Sequence, residues 1–278
     1  MAAADAPHGR RAAVSPAPPP ATLRPLALAL VATLFLWQLP FGGFVLYPFK
    51  LLGTWLHEGS HGLVMALTGA GFDRMEVFAD GSGLAHGRRP VEAFAQGLIA
   101  SAGYMGTPLW GAALLAASRT VAGARRALAA GGALMLASAI LVVANRFGQV
   151  ALGATGLAIV GAAILVPARW TRVLAHVVAA QACINAVVDI RVLYRPTLYI
   201  NGQVVRDSDA HVMAQASLGT DAPWAVWLWA SLWLAWSLAL LFATFVVIRR
   251  RELGPAGAVR PSVDGGALGA DRGPLGPR

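Results

Sequence analysis

Two histidines and a glutamate lie within five consecutive positions of an apolar stretch, in the order His57-Glu58-Gly59-Ser60-His61. On a helix, residues four apart project from the same face, so the two imidazoles can bind one metal ion. Zinc accepts histidine nitrogens at about 2.0–2.1 Å. Glu58 is rotated from His57 by about 100° round the helix, so it can face a metal-activated water and act as a general base. The pattern predicts a zinc site with hydrolytic chemistry.

A structural polar cluster is the alternative interpretation of these three residues. A single histidine in an apolar helix is more often a packed, hydrogen-bonded side chain than a metal ligand. However, each ionisable side chain at the centre of a bilayer costs about 2.5–3.5 kcal/mol or more. Three such residues within five positions therefore need a compensating function, and this favours the metal site.

A second polar group follows much later in the chain, where Gln181, Asn185 and Asp189 are spaced by four in an apolar segment. This spacing places them on one face of a helix, and we expect that face to look into the helix bundle rather than into lipid. Asp189 is then either a hydrogen-bonded structural group or a metal ligand. The competing candidates for a third ligand are Asp80, His86, His176, Asp207, Asp209 and His211. Asp209 is the best of these because its loop directly follows the helix of the polar group.

The composition indicates a membrane protein. The chain has 278 residues, of which 57% are hydrophobic and 13% charged, whereas soluble domains carry about 25% charged residues. Several apolar runs approach or exceed the ~20 residues that span a bilayer. The net charge of +9 comes mostly from arginines at segment ends and in the tails. Such residues orient helices and meet lipid headgroups, and no nucleic-acid-binding motif is present.

The sequence predicts an all-α polytopic membrane protein with about seven transmembrane helices. A transmembrane domain at residues 25–248 lies between predicted disordered tails at residues 1–24 and 249–278. A short β-hairpin is predicted after the motif helix, from residues 72–78 and 84–86. Residues 195–223 are predicted as a polar loop. The seven helices are predicted at residues 26–47 (broken near Pro40), 49–68, 91–117, 126–144, 150–166, 170–194 and 224–248.

The H-E-x-x-H pattern in a membrane helix, the hairpin, the glycine-rich helix and a later acidic helix together resemble the site-2 protease family of intramembrane zinc metallopeptidases. The resemblance covers residues 55–227. Residues 101–106 and Ser208-Asp209-Ala210 resemble signatures of the compact bacterial branch. The resemblance implies a multi-pass protein of a bacterial cell membrane that uses Zn²⁺ to cleave membrane-embedded protein substrates in regulated intramembrane proteolysis.

The resemblance also implies roles for particular residues. Glu58 corresponds to the general base, and the third zinc ligand of the family is an aspartate on a later membrane helix. Asp189 lies at that position, which gives His57, His61 and Asp189 as the metal ligands. Gln181 and Asn185, on the same helix face, are the predicted substrate-binding residues. The strand at residues 72–78 is expected to bind the substrate helix, after local unwinding, by β-augmentation.

Two other functions are compatible with the sequence. A catalytically inactive site-2-protease-like protein with a regulatory or metal-binding role is favoured slightly by the surroundings of Asp189, where Val188 and Ile190 replace the Leu and Gly of the family pattern. A transporter or channel is the other possibility, but the sequence has no paired repeats and no matching broken helices of the transporter kind.

Overall fold

The computed structural model describes residues 28, 31–33, 35–36, 38–195, 197–205 and 207–252. The predicted tail at residues 1–24, most of the first predicted helix and most of the predicted tail at residues 249–278 lie outside the described residues. The helices are α1 (Gly42–Leu67), α2 (Ala93–Ala117), α3 (Val121–Leu141), α4 (Arg146–Leu165), α5 (Ala168–Ile190), α6 (Asp209–Leu218) and α7 (Pro223–Glu252). The strands are β1 (Phe72–Val77), β2 (Gly83–Gly87), β3 (Leu198–Ile200) and β4 (Gln203–Val205).

Five of the described helices, α2, α3, α4, α5 and α7, are long and apolar enough to cross a membrane. This confirms a mostly helical, integral membrane protein, but the predicted number of about seven spans is not confirmed. Helix α1 has 26 residues, yet it is not one of the five. It carries Lys50 and Glu58 in addition to the two motif histidines.

The predicted boundary between the first two helices is wrong. Helix α1 begins at Gly42 and continues through Pro48, and the turn that precedes it lies at residues 38–41. A proline removes one helical hydrogen bond and often ends a helix. Here Leu46 and Leu51 are buried on either side of Pro48, so packing stabilises the helix across the missing bond.

The predicted hairpin is present as the antiparallel pair β1–β2, and α1 fixes its turn. Tyr47, Lys50 and Thr54 lie on one face of α1 because they are spaced by three and four residues. Their side chains donate hydrogen bonds of 2.5–2.7 Å to the consecutive backbone carbonyls of residues 79–81. The hairpin therefore runs back along the motif helix and places β2 beside its centre.

Strand β1 is bound on both edges. One edge pairs with β2, and on the other Met75 donates to the carbonyl of Val142 at 2.8 Å and accepts from the N–H of Ala144 at 2.9 Å. The side chain of Asn145 forms hydrogen bonds with both the N–H and the carbonyl of Val77, at 3.1 and 2.7 Å. The α3–α4 connection thus occupies the outer edge of β1, which the expected β-augmentation at residues 72–78 would need to be free.

The prediction of a loop at residues 195–223 is also wrong. This segment contains the hairpin β3–β4 and the helix α6. Ser208 caps α6 by accepting a hydrogen bond from the N–H of His211, and Ala210 and Ala214 are fully buried against Tyr104 and its neighbours. Three-residue strands and a ten-residue helix are too short for apolar periodicity to reveal, which explains why the pattern favoured a loop.

Candidate metal centre

His57, His61 and Asp209 form a cluster of potential metal ligands. One donor atom from each lies within 4.8 Å of the other two. Oδ2 of Asp209 is 3.3 Å from Nε2 of His57 and 3.4 Å from Nε2 of His61, and the two imidazole centroids are 4.7 Å apart. The four-residue spacing on α1 therefore directs both rings at one point, where Asp209 meets them.

The hydrogen bond of His61 prepares its ring for metal binding. Nδ1 of His61 lies 2.6 Å from the carbonyl oxygen of Ile99, which can only accept. Nδ1 therefore carries the proton, and in the neutral ring the lone pair lies on Nε2, the atom that faces Asp209. A backbone carbonyl is one of the common partners by which proteins orient a metal-binding histidine through its far nitrogen.

Asp209 is the first residue of α6 and is held by the start of that helix. Ser208 supplies the cap, and its hydroxyl also lies 2.7 Å from Nδ1 of His211. Burial opposes ionisation of Asp209, but when the motif histidines are protonated on Nε2, the charge of His61 and hydrogen bonds from both rings lower the pKa of Asp209 below its usual range. A metal ion would displace those Nε2 protons, which leaves an anionic oxygen donor beside two nitrogen donors.

Helix α2 approaches the cluster through a glycine. A Cβ atom on Gly103 would overlap Nε2 of both His57 and His61, so only glycine leaves room for the rings and for an ion between them. Next to it, the ring of Tyr104 packs edge-on against His57 with centroids 4.6 Å apart and stacks on Trp233 at 5.1 Å. An aromatic wall from α2 and α7 thus closes one side of the site.

Glu58 is buried and stands beside the donor cluster without belonging to it. Strand β2 begins directly over this side chain, because a Cβ atom on Gly83 would lie 2.7 Å from Cγ of Glu58 and 2.7 Å from Cγ2 of Thr54. Glu58 and the three potential ligands line one cavity of about 510 Å³. Its other walls come from β2, from α2, from the end of α5 and from the hairpin β3–β4.

The polar group on α5 is divided between two environments. Asp189 lines the same cavity but lies outside the three-residue donor cluster. Gln181 donates to the hydroxyl of Thr33, and Nδ2 of Asn185 donates to the carbonyl of Phe49 at 2.6 Å. Neither amide lines the cavity. Asp209 lies beside the histidines, whereas the hydrogen bonds of Gln181 and Asn185 connect α5 to segments that precede it in the chain.

Other candidate ligands lie away from the donor cluster. Asp80 accepts hydrogen bonds from the N–H and hydroxyl of Ser82 within the hairpin turn, and His86 pairs with Glu76 across the hairpin at 3.1 Å. The sequence signal for Asp209 is Ser208-Asp209-Ala210, in which a serine cap precedes an acid at the start of a short helix. That signal locates a helix N-terminus but gives no direction towards the histidines.

Comparison with known proteins agrees with this geometry. A family described as Peptidase M50B-like matches residues 26–244, a range that includes all three potential ligands and Glu58. The chain belongs to this family. It is accordingly a membrane protein of the site-2 protease family of peptidases. No significant match was found among curated proteins or among solved structures.

Proposed function

We propose that this M50B-like protein is an intramembrane zinc endopeptidase. The observation that carries the proposal is the convergence of His57, His61 and Asp209 beside the buried Glu58, at the wall of a cavity large enough for a peptide segment. Two nitrogens and one carboxylate oxygen are a typical donor set for zinc, and three protein ligands leave the fourth position open, as catalytic sites require.

The donor atoms of this chain fit Zn²⁺. Neutral His61 carries its lone pair on Nε2, Asp209 ionises readily, and Gly103 leaves space between the rings. When bound, zinc acts as a Lewis acid that polarises the scissile carbonyl and lowers the pKa of water towards about 7. Because Asp189 lies outside the donor cluster, we assign the third ligand to Asp209.

Glu58 performs the proton transfers in this proposal. It takes a proton from the attacking water as general base and returns that proton to the amine that leaves when the peptide bond breaks. Its place beside the ligands, rather than among them, leaves the carboxylate free for this role. The aromatic wall of Tyr104 and Trp233 limits access of bulk water from one side.

The outer edge of β2 is the proposed binding surface for the substrate backbone. Met75 and Val77 direct their N–H and carbonyl groups away from β2, so their partners Ala85 and Gly83 direct theirs to the opposite edge. Gly83 and Ala85 line the cavity, and among the described residues β2 pairs with no further strand. An unwound substrate segment can add to this edge by β-augmentation. We therefore assign substrate pairing to β2 rather than to β1, the strand expected from the sequence.

The substrate class in this proposal is a membrane-embedded protein segment, and the location is a bacterial cell membrane. The alternative is an inactive homologue that keeps the metal for a regulatory role. Both bind zinc, so only cleavage separates them. Val188 and Ile190, the altered residues beside Asp189, are weak support for this inactive alternative, because the aspartate that lies beside the histidines is Asp209.

The test uses the purified full-length protein in lipid nanodiscs with a set of model single-span proteins. We expect about one zinc per chain and zinc-dependent cleavage of at least one substrate within or beside its apolar segment. Cleavage should disappear in a Glu58→Gln variant. A protein that binds zinc but cleaves none of the substrates would favour the inactive alternative, and a protein without zinc would contradict both.

A further inference from the structure

A second cavity of about 390 Å³ lies at the far end of β2. It shares the lining residues Met65, Gln96 and Ile99 with the main cavity, so the two cavities are adjacent. Most of its other lining residues are apolar, and the two cationic side chains among them are Arg88 and Arg89. Because Gly83 lines the main cavity and Gly87 lines the second one, a chain extended along β2 would reach from one to the other.

The backbone of this arginine pair is fixed, whereas the side chains are exposed. The N–H of Arg88 donates to the carbonyls of Ala70 and Gly71, and the N–H of Arg89 donates to Ala70, at 3.0–3.1 Å. The guanidinium of Arg88 lies 3.6 Å from Asp73, a carboxylate that it shares with Arg74. Arg89 forms no ion pair within the part of the chain that the structure describes. The second cavity therefore has a positive rim on a rigid support.

The length of β2 sets the distance between this rim and the catalytic residues. Gly83, at the start of β2, lies against Glu58, and Gly87, at its end, lines the second cavity. Four residues of strand span about 13 Å. A substrate strand paired with β2 and cut beside Glu58 would therefore bring a residue four or five positions from the scissile bond to the arginines.

The direction of the substrate strand follows from pairing energetics. Antiparallel pairing is slightly more stable per residue than parallel pairing. A strand antiparallel to β2 runs from the Gly87 end towards Gly83, so its residues on the N-terminal side of the scissile bond reach the second cavity. A carboxylate there can accept charge-assisted hydrogen bonds from a guanidinium.

We propose that the second cavity is a specificity site for an acidic side chain located four or five residues N-terminal to the scissile bond. This inference rests on the proposed peptidase function and names the substrate class of the same site: unwound segments with Asp or Glu at that distance. Exposed ion pairs are weak, so the preference is about fivefold rather than absolute.

The test begins with a model single-span substrate whose scissile bond is mapped by mass spectrometry. Glutamate, glutamine or lysine is then placed at each position from two to seven residues on either side of that bond, and kcat/KM is measured in nanodiscs. We expect kcat/KM for the glutamate substrate to exceed that for the lysine substrate by about fivefold only at four or five residues on the N-terminal side.

Arg89→Gln should remove the preference and Arg89→Glu should invert it. Arg169→Gln, an exposed arginine at the start of α5, is the matched control and should keep it.

A binding measurement separates this inference from the proposed function. Labelled ten-residue apolar peptides with one glutamate or one lysine are titrated against the zinc-loaded full-length protein and against Arg89→Gln, with fluorescence anisotropy as the readout. Tighter binding of the glutamate peptide to wild type alone supports the acidic site even if no substrate is cleaved. Cleavage without position-dependent charge preference, a preference on the C-terminal side, or equal binding of both peptides to wild type would overturn it.

Discussion

Oδ2 of Asp209 lies 3.3 Å from Nε2 of His57, although 152 positions of sequence separate the two residues. The contact exists because α6 docks its buried alanines against the cluster around Tyr104, which sets the first residue of α6 over the motif histidines. The third potential ligand therefore comes from a short helix that follows the membrane span α5, and not from the span itself.

The first prediction concerns this third ligand. Asp209→Ala should weaken zinc binding by at least about tenfold, because it removes the anionic donor from a three-residue set. Asp189→Ala should retain close to wild-type affinity, since Asp189 lies outside that set. Zinc affinity is measured by competition with a chromogenic chelator on purified protein. Loss of zinc from Asp189→Ala together with retention in Asp209→Ala would reverse the assignment and restore the ligand expected from the sequence.

The second prediction separates the base from the ligands. Glu58→Gln keeps the size of the side chain but removes the group that accepts a proton. We expect wild-type zinc content, unchanged thermal unfolding and cleavage reduced by at least about a hundredfold. His57→Ala with His61→Ala is the comparison variant and should lose both zinc and cleavage. If Glu58→Gln loses its metal as well, Glu58 is a ligand and the proposed role is wrong.

The third prediction tests the close approach of α2. In Gly103→Ala the new methyl group would overlap Nε2 of both motif histidines, so the rings must move apart. Zinc affinity should fall by at least about tenfold, whereas the helix itself should tolerate alanine, a better helix former than glycine. Gly131→Ala on α3 is the matched control, because its Cβ would meet nothing within 4 Å. Equal zinc affinity in the two variants would show that the site can accommodate the methyl group.

Local patterns predicted the parts of this protein that depend on neighbouring residues. The motif helix places His57 and His61 on one face because helix geometry alone fixes an i, i+4 pair. The β1–β2 hairpin followed from alternation and a glycine-rich turn. The hydrophobic composition of the later segments likewise indicates membrane helices without any information on their packing.

The features of this protein that depend on tertiary packing could not be predicted from the sequence pattern. The predicted break between residues 47 and 49 is wrong because buried leucines on either side of Pro48 stabilise one continuous helix, and local spacing does not reveal that packing. From the sequence, Asp209 is the leading competitor for the third ligand because its segment directly follows the helix of the polar group, but it reaches the histidines only through the docking of α6, which no local spacing encodes. The outer edge of β1 is covered by the α3–α4 connection, a pairing that is parallel, isolated and non-local.

The last prediction concerns the substrate-binding edge of β2. The N–H of Ala85 points away from β1, so Ala85→Pro removes a donor from the free edge without breaking a bond of the hairpin. One lost backbone hydrogen bond should lower kcat/KM for a single-span substrate by up to about tenfold. The loss should appear mainly in KM, and zinc content should not change.

Ala85→Val, which keeps the N–H, is the control for side-chain size. Leu84→Pro should instead unfold the hairpin, since Leu84 faces Glu76 in the ladder. Unchanged kinetics in Ala85→Pro, with zinc and folding intact, would exclude this edge as the surface that pairs with the substrate.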